Sequence, residues 1–426
     1  MLLKKKYISV TILLLVLCSF SIRAQNEIVS PYSSYGIGLI NRSSNGILDA
    51  MGGVSYAIQN PYYINFRNPA SYAAFDSLSF VADAAVSIYT STMQQNNITQ
   101  RNTYAKPGYI AIGLPVTPHW RTSLGIVPFS SIGYSIESTQ QIENVGSVDY
   151  KYSGKGGINR LYWGNAFKIC KGLTIGLNAD YIFGSIFANS NTEFGGDNKL
   201  NTYINDVYKV NGIYLTGGIQ YFFDIKENHK MGIGLIYSNT AYIWAKEQLL
   251  INSYSGNFVS TTIYDTILYN NNLKGTLKIP QSVGVGLSYT FKEKMTIAAD
   301  VTWQNFVKFK FMKPSESFKN SISTSLGVQY IPSPMSNKFF RRMAFRAGGK
   351  YSTGELLIKN KPISELGVCV GVGIPLNTFN THSSVNFMFE YGKIGTLAND
   401  LIRQNYFRFS LCFTLQERWY QRVKLD

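Results

Sequence analysis

Whatever chemistry this chain performs must come from few residues. His119, His229 and His382 are its three histidines; they stand far apart, each in a segment that reads as a turn. A side-chain nucleophile needs a base within hydrogen-bond reach, and none of the three has an evident serine and acid arrangement beside it. There is no Gly-rich phosphate loop and no cysteine cluster, and histidines so dispersed give no metal site. The sequence therefore reads as that of a non-enzyme, with no cofactor and no metal.

Beyond residue 24 the cysteines are Cys170, Cys369 and Cys412. An odd number is no disulfide framework. Cys369 and Cys412 share the inward side of their segments, so two readings stand: one bridge, or buried free thiols. The other candidates are charges set among small residues: Arg160, Asp180, Asp300, Arg346, Lys350, Glu390 and Arg408. Both signs are present. They read as a polar constriction, as an anchor for an internal plug, or as a structural ion network that holds the interior together.

The elements that must position these side chains alternate with period two. From Leu173 to Phe183 the odd positions Leu173, Ile175, Leu177, Ala179, Tyr181 and Phe183 are apolar, while Thr174, Gly176, Asn178 and Asp180 are small or polar. That is a strand with two unlike faces. The same pattern recurs in Val283–Phe291, Ile297–Trp303 and Phe407–Leu415, and fourteen such strands fit between residues 77 and 415. The second face is rich in Gly, Ser and Thr and poor in the Lys and Glu of a wetted surface. An apolar face turned to lipid and a small-residue face turned to a lumen fit better than a soluble sandwich.

Connections alternate as well. Short ones are expected at Thr117–Trp120, Lys171, Asp224–His229 and Lys292–Lys294, with long loops after every odd strand, the longest at about Asn252–Thr276. Short turns at one rim and long loops at the other characterise an outer-membrane barrel, and an even strand count returns both ends to the periplasmic rim. The third strand, TSLGIVPFSSIGYSIES, carries Pro128, which cannot donate to a ladder. It marks either a lateral opening in the wall or a harmless bulge.

The flanks differ from the barrel. Residues 1–24 combine Lys4, Lys5 and Lys6 with a short apolar core and a small residue at Ala24, which reads as a cleaved secretory signal. Cys18 makes a lipoprotein signal the rival, but Leu17 before it is too large for that motif. Residues 25–76 are broken by Gly, Ser, Asn and Pro and read as irregular, with one helical turn at Pro69–Ala74. Such backbone is tolerated at membrane depth only inside protein, so the segment reads as a plug in the lumen, with a periplasmic arm as the alternative. Residues 416–426 form a tail whose Trp419, Tyr420 and Arg422 suit docking at the periplasmic face or an interfacial anchor.

The net charge of +16 falls to +12 once Lys4, Lys5, Lys6 and Arg23 leave with the signal. Basic charge suits nucleic acid, but export argues against that partner. The expectation is outer-membrane lipid and lipopolysaccharide phosphate, or a diffuse charge with no partner.

With these features in place the chain resembles the FadL-like superfamily of outer-membrane β-barrels, in the branch common among Bacteroidota. The resemblance rests on the signal, on Asn68-Pro69-Ala70 in INFRNPASYAAFD, on YSGKGGINRLYWGNAFKI with LTIGLNADYIFGS, on LKIPQSVGVGLSYTF and on the closing NYFRFSLCFTLQERWYQR. It implies an all-β fold: a fourteen-stranded antiparallel transmembrane barrel with an N-terminal hatch ending at Asn68, Pro69 and Ala70. In transporting members, similar to FadL and TodX, it implies passive uptake of small hydrophobic molecules past the hatch and out through a kinked third strand, which maps onto Pro128. In members similar to PorV it implies an accessory barrel of a secretion machine. Barrels attached to outer-membrane insertion machinery, which bind other outer-membrane or periplasmic proteins, would look alike. A carrier of fatty acids lines its lumen with bulky apolar side chains; the small-residue face here departs from that.

Overall fold

A computed structural model describes residues 29–195, 199–255, 262–312, 318–334, 336, 338–376 and 382–418. The expected signal at 1–24 and the tail residues Trp419, Tyr420 and Arg422 lie outside the described residues.

Fourteen antiparallel strands form the wall. They run Ser79–Gln95, Ile98–Pro115, Trp120–Ile142, Gly146–Cys170, Leu173–Phe194 and Asn201–Lys226, and then through two interrupted strands. The seventh comprises His229–Ser238 and Ala241–Ser255, the eighth Thr262–Ile279 and Ser282–Phe291. Met295–Gln304, Ser321–Tyr330, Ala344–Ser352, Glu365–Pro375, Ser384–Gly395 and Arg403–Arg418 complete the set. The first strand pairs with the fourteenth from Ser79↔Arg418 to Gln94↔Arg403, which closes the cylinder. The eighth strand breaks at Pro280, where the missing N–H would interrupt any ladder.

The period-two faces separate as the alternation requires. Leu326 is 60% exposed, Phe389 58% and Phe407 59%, on the outside; Asn178, Asp180, Ser410 and Thr414 are buried on the inside. An apolar belt left bare in this way is stable only against hydrocarbon.

Strand length departs from the sequence expectation at one rim. Residues expected as long loops after the first, third, fifth and seventh strands continue as paired strand. Only Asn96 and Asn97 separate the first two strands, and only residues 143–145 the next two. The sixth strand has 26 residues, against 10 for the ninth, and about ten suffice to cross a bilayer. The third to eighth strands therefore stand well above the membrane as a tall half-wall. In these upper ladders the buried positions are largely polar, as at Asn191, Asn201, Asn252 and Ser253, so the apolar alternation that announces a strand fades while backbone pairing persists.

The N-terminal segment lies within the cylinder. Its helical turns are Pro31–Ser34, Gly46–Asp49 and Pro69–Ala74, with a two-residue strand at Leu39–Ile40. Ile47, Leu48, Met51, Val54, Ile64, Phe66, Tyr72 and Phe75 are buried against Tyr109, Ala111, Tyr162, Ala166 and Ala298 of the wall. The hatch thus supplies most of the bulky apolar side chains of this cluster, while a second cluster is built mainly by Ile158, Ile182, Ile186, Tyr208, Tyr214 and Ile243 of the wall. The described chain does not begin at the rim where the fourteenth strand ends. Val29 donates its N–H to the Gly133 carbonyl and accepts from Gln404 near the tall rim, and the segment descends from there to Phe75 at the short-turn rim.

Candidate functional site

The site is the seam between hatch and wall. Asn68 accepts from the Ala70 N–H at 3.1 Å, capping the turn that Pro69 opens, and donates to the Tyr56 carbonyl at 2.7 Å. The wall here is glycine: a Cβ on Gly176 would stand 2.4 Å from the Pro69 carbonyl carbon, one on Gly218 2.0 Å from the Asn68 side chain. Gly327 and Gly348 accept Met51 in the same way, and Gly234 accepts the Tyr56 carbonyl. The Gly-rich part of the inner face is therefore a socket for the hatch backbone; elsewhere the wall itself buries Ile158, Ile182, Ile186, Tyr208, Tyr214 and Ile243 in a second apolar cluster, so the small-residue face expected from the sequence holds only where the hatch packs.

Polar side chains of the wall take up hatch backbone groups, as buried amides and carbonyls require. Asp300 accepts from the Ser55 N–H at 2.6 Å and the Tyr56 N–H at 3.1 Å. Gln220 donates to the Tyr56 carbonyl at 2.7 Å, and Asn178 to the Phe66 carbonyl at 3.1 Å. Asp83 accepts from the Ile64 N–H at 2.6 Å and from Asn45 at 3.0 Å.

The candidate lumen charges divide into two groups. Lys350, Glu390 and Arg408 are joined: Lys350 meets Glu390 at 2.7 Å and Glu365 at 3.2 Å, and Arg408 meets Glu390 at 2.5 Å. The chain of charges continues onto the hatch, because Arg408 also meets Asp49 at 3.1 Å while Arg42 pairs with Glu355 and stands 3.9 Å from Glu365. Burial works against the charge on Arg42, but Glu355 and Glu365 outweigh it and hold its pKa above the usual arginine value.

The other four form no ion pair among the described residues, against the expectation that interior charges of mixed sign must pair. Asp300 accepts from backbone N–H groups and Asp180 from the Thr216 hydroxyl at 3.5 Å, each through Oδ2 with its Oδ1 unpartnered among the described residues, and Arg346 donates to Gln329 and Asn386 at 2.7 and 3.0 Å. Arg160 rests over the Phe66 ring at 5.6 Å. Neutral partners do this work, so the network is narrower than the charge pattern implied. Of its other members, Arg42 and Asp49 lie in the hatch, Glu355 lies beyond the end of the eleventh strand and Glu365 opens the twelfth, where period-two alternation gives little signal.

Pro128 sits at a break in the wall. The second and third strands pair only from Pro115↔Arg121 to Ile110↔Ile126, and the third slips register against the fourth between Pro128 and Ser130. Above Ile110 the second strand pairs with the first alone, and above Ile126 the third pairs with the fourth and with the hatch. Leu39 and Ile40 pair with Ser131 and Ser130, and Asn41 donates from its backbone to Phe129 at 2.9 Å and from its side chain to Pro128 at 3.1 Å. The hatch thus covers the freed edge of the third strand. A cavity of about 160 Å³ lies behind this split, lined among others by Tyr104, Pro107, Val127 and Pro128 and by Arg42, Glu390 and Arg408.

Cys369 and Cys412 are both free and buried; Cys369 accepts from the Gly52 N–H at 3.0 Å and Cys412 lies 3.1 Å from the Tyr109 hydroxyl, so the bridge is not formed. The histidines are apart: His229 bonds Tyr289 at 2.6 Å, and His382 stacks on Tyr62 with centroids 4.1 Å apart. No group of His, Cys, Asp and Glu suited to a metal occurs among the described residues.

A family model described as BamG matches residues 3–426. Among solved structures, the chain is similar to the toluene transporter TodX of P. putida, with 15% identity and a TM-score of 0.59 over 89% of this chain and 100% of that one. It is also similar to a FadL homologue of Pseudomonas aeruginosa, with 12% identity and a TM-score of 0.58 over 90% and 100%. A third likeness is the toluene transporter TbuX of Ralstonia pickettii, with 13% identity and a TM-score of 0.57 over 89% and 99%. No curated protein matches the sequence. Identities this low establish the fold, that of an outer-membrane β-barrel of the FadL-like type.

Proposed function

The chain belongs to the BamG family, and from that premise we propose that it is a non-transporting accessory barrel of an outer-membrane barrel-assembly complex. The observation that carries this reading is the interlock of hatch and wall. A carrier must let its hatch move, whereas here the hatch backbone lies against glycines that leave no room for a methyl group. Asp83, Asn178, Gln220 and Asp300 bind its amides and carbonyls, and a buried charge network grips Asp49 and Arg42. Displacing it would strand these groups without partners, each at a cost of about 1–3 kcal/mol. On this reading Pro128 marks a structural kink covered by the hatch, and the lumen charges anchor the plug. The short-turn rim faces the periplasm, where the tail carrying Trp419, Tyr420 and Arg422 meets partner proteins.

The split between the second and third strands favours a second reading, passive uptake of small hydrophobic molecules through a lateral opening at Pro128. One experiment separates the two. The tagged native protein is purified from outer membranes in mild detergent, and its proteins and lipids are identified by mass spectrometry. Stoichiometric recovery of a barrel-insertion machine supports the accessory role. A lone barrel loaded with apolar ligand overturns it in favour of the conduit.

A further inference from the structure

The sixth, seventh and eighth strands carry lysines on the face turned away from the lumen. Lys209 is paired with Lys246, and Lys246 with Lys274, so three ammonium groups stand side by side across neighbouring strands. All three are exposed, while the alternate positions Tyr208, Val210, Ala245 and Glu247 are buried, which places the lysines on the outer face. Nearer the membrane, Lys278 lies opposite Lys310 of the two-residue strand Lys310–Phe311, and its ammonium stands 5.2 Å from the centre of the Tyr242 ring.

Side chains directly opposed in a sheet have Cβ atoms about 4.5–5.5 Å apart, and like charges placed so destabilise the pairing. No carboxylate on this face offsets that. Asp206 and Glu247 alternate onto the inner face, where Glu247 accepts from the Tyr208 hydroxyl at 3.2 Å, and Asp265 stands toward the top of its strand opposite Ser253. The nearest outward neighbours of the row are Ser185, Asn211, Trp244, Gln248 and Thr276. Among the described residues none of the five lysines has an ion pair.

The height of the row identifies the anion that would relieve it. Ile213, Tyr237, Tyr242 and Trp244 lie below it on the outer face, Trp244 with 74% of its surface exposed. Tyr and Trp gather where hydrocarbon meets head groups, and Lys246 is the next outward residue after Trp244, about 7 Å further along the strand. The row therefore sits at head-group level, at the foot of the tall half-wall. A lysine ammonium is a compact point charge that suits phosphate. Lys274 and Lys278 lie about 13 Å apart along the eighth strand, so the face offers two separate groups of cations. A phospholipid with one phosphate meets one of them. A glycolipid phosphorylated at separate positions on its sugars meets both.

We infer that this face docks the phosphorylated glycolipid of the outer leaflet, with Lys209, Lys246 and Lys274 on one phosphate-bearing group, Lys278 and Lys310 on another, and the acyl chains below them along Ile213 and Tyr237. The inference rests on the placing of the short-turn rim in the periplasm and not on the accessory role.

The test is native mass spectrometry of the full-length mature protein in a neutral detergent, with diphosphoryl lipid A, chemically dephosphorylated lipid A and phosphatidylglycerol at equal concentration. Diphosphoryl lipid A should be retained roughly tenfold more than either of the others. Lys209→Gln, Lys246→Gln and Lys274→Gln together should lower its retention by about the same factor. Lys168→Gln, Lys171→Gln and Lys294→Gln together remove equal charge from exposed positions at the short-turn rim and should leave retention unchanged. Equal retention of the dephosphorylated lipid overturns the site on the parent protein alone, even where a variant fails to fold. Equal loss in the two triple variants overturns it in favour of diffuse charge. Equal retention of phosphatidylglycerol overturns the glycolipid as occupant, while the orientation on which the inference rests is read separately by labelling Cys170 on intact cells.

Discussion

Arg408 of the fourteenth strand and Asp49 of the hatch meet at 3.1 Å with 5% and 7% of their side chains exposed, and the same guanidinium reaches Glu390 at 2.5 Å. One arginine therefore holds two carboxylates, one on the plug and one on the wall. Removing one member of a buried pair costs about 3–5 kcal/mol, because the partner's charge stays buried. Arg408→Met should lower the unfolding free energy in denaturant by roughly 3 kcal/mol on that basis, with proteolysis near Asp49 accelerating in parallel. An unchanged unfolding midpoint would mean that the hatch is held by packing alone.

The glycine socket gives a sharper test of the interlock. A Cβ on Gly234 would stand 1.9 Å from the Tyr56 carbonyl oxygen, whereas the nearest atom to a Cβ on Gly217 is the Tyr237 carbonyl oxygen at 3.9 Å. Gly234→Ala should destabilise the barrel by about 1–3 kcal/mol through overpacking. Gly217→Ala should stay within about 0.5 kcal/mol of the parent. Equal effects in micelle unfolding experiments would show that the hatch is loose enough to shift aside.

The wall was legible in the sequence wherever a strand separates lipid from lumen, because only there do its two faces meet different surroundings. Ile175 and Leu177 against Thr174 and Asn178 announce their strand for that reason. The helical turn at Pro69–Ala74 was legible too, and the structure adds the Asn68 side chain that caps it. The upper ladders were not, since their buried positions, Asn191, Asn201 and Asn252 among them, are themselves polar. Nor was the network at the seam. Arg42 and Glu355 lie 313 residues apart in segments without periodicity, and only the closed barrel brings them together. The same holds for the inner face: Gly176, Gly218, Gly234 and Gly327 are covered by the hatch, while Ile158, Ile182 and Ile243 of the wall build a second apolar cluster that alternation alone did not single out.

Asn41 ties the hatch to the broken wall through the Phe129 carbonyl and the Pro128 carbonyl. Asn41→Ala deletes the second bond, together with the one its side chain accepts from the Ser43 N–H at 3.0 Å, and leaves the first, so the two-residue strand at Leu39–Ile40 should fray without loss of the barrel. Amide exchange at Ile40 and Asn41 should quicken by about tenfold for a lost bond of roughly 1.4 kcal/mol, while exchange in the first and fourteenth strands is unchanged. A global rise in exchange would instead make this contact part of the barrel's cooperative core.

Cys170 closes the fourth strand at the short-turn rim and is exposed, while Cys369 and Cys412 are buried. Thiolate chemistry needs access, so one maleimide should add to the folded protein and three to the unfolded one. The same thiol reports orientation. If the short-turn rim lies in the periplasm, a membrane-impermeant maleimide applied to intact cells leaves Cys170 unmodified and modifies it once the outer membrane is permeabilised. Glu143→Cys in a Cys170→Ser background places a thiol at the opposite, tall rim, where residue 143 is exposed, and it should be labelled on intact cells. The reverse pattern would invert the barrel in the membrane and move the proposed docking face to the cell surface.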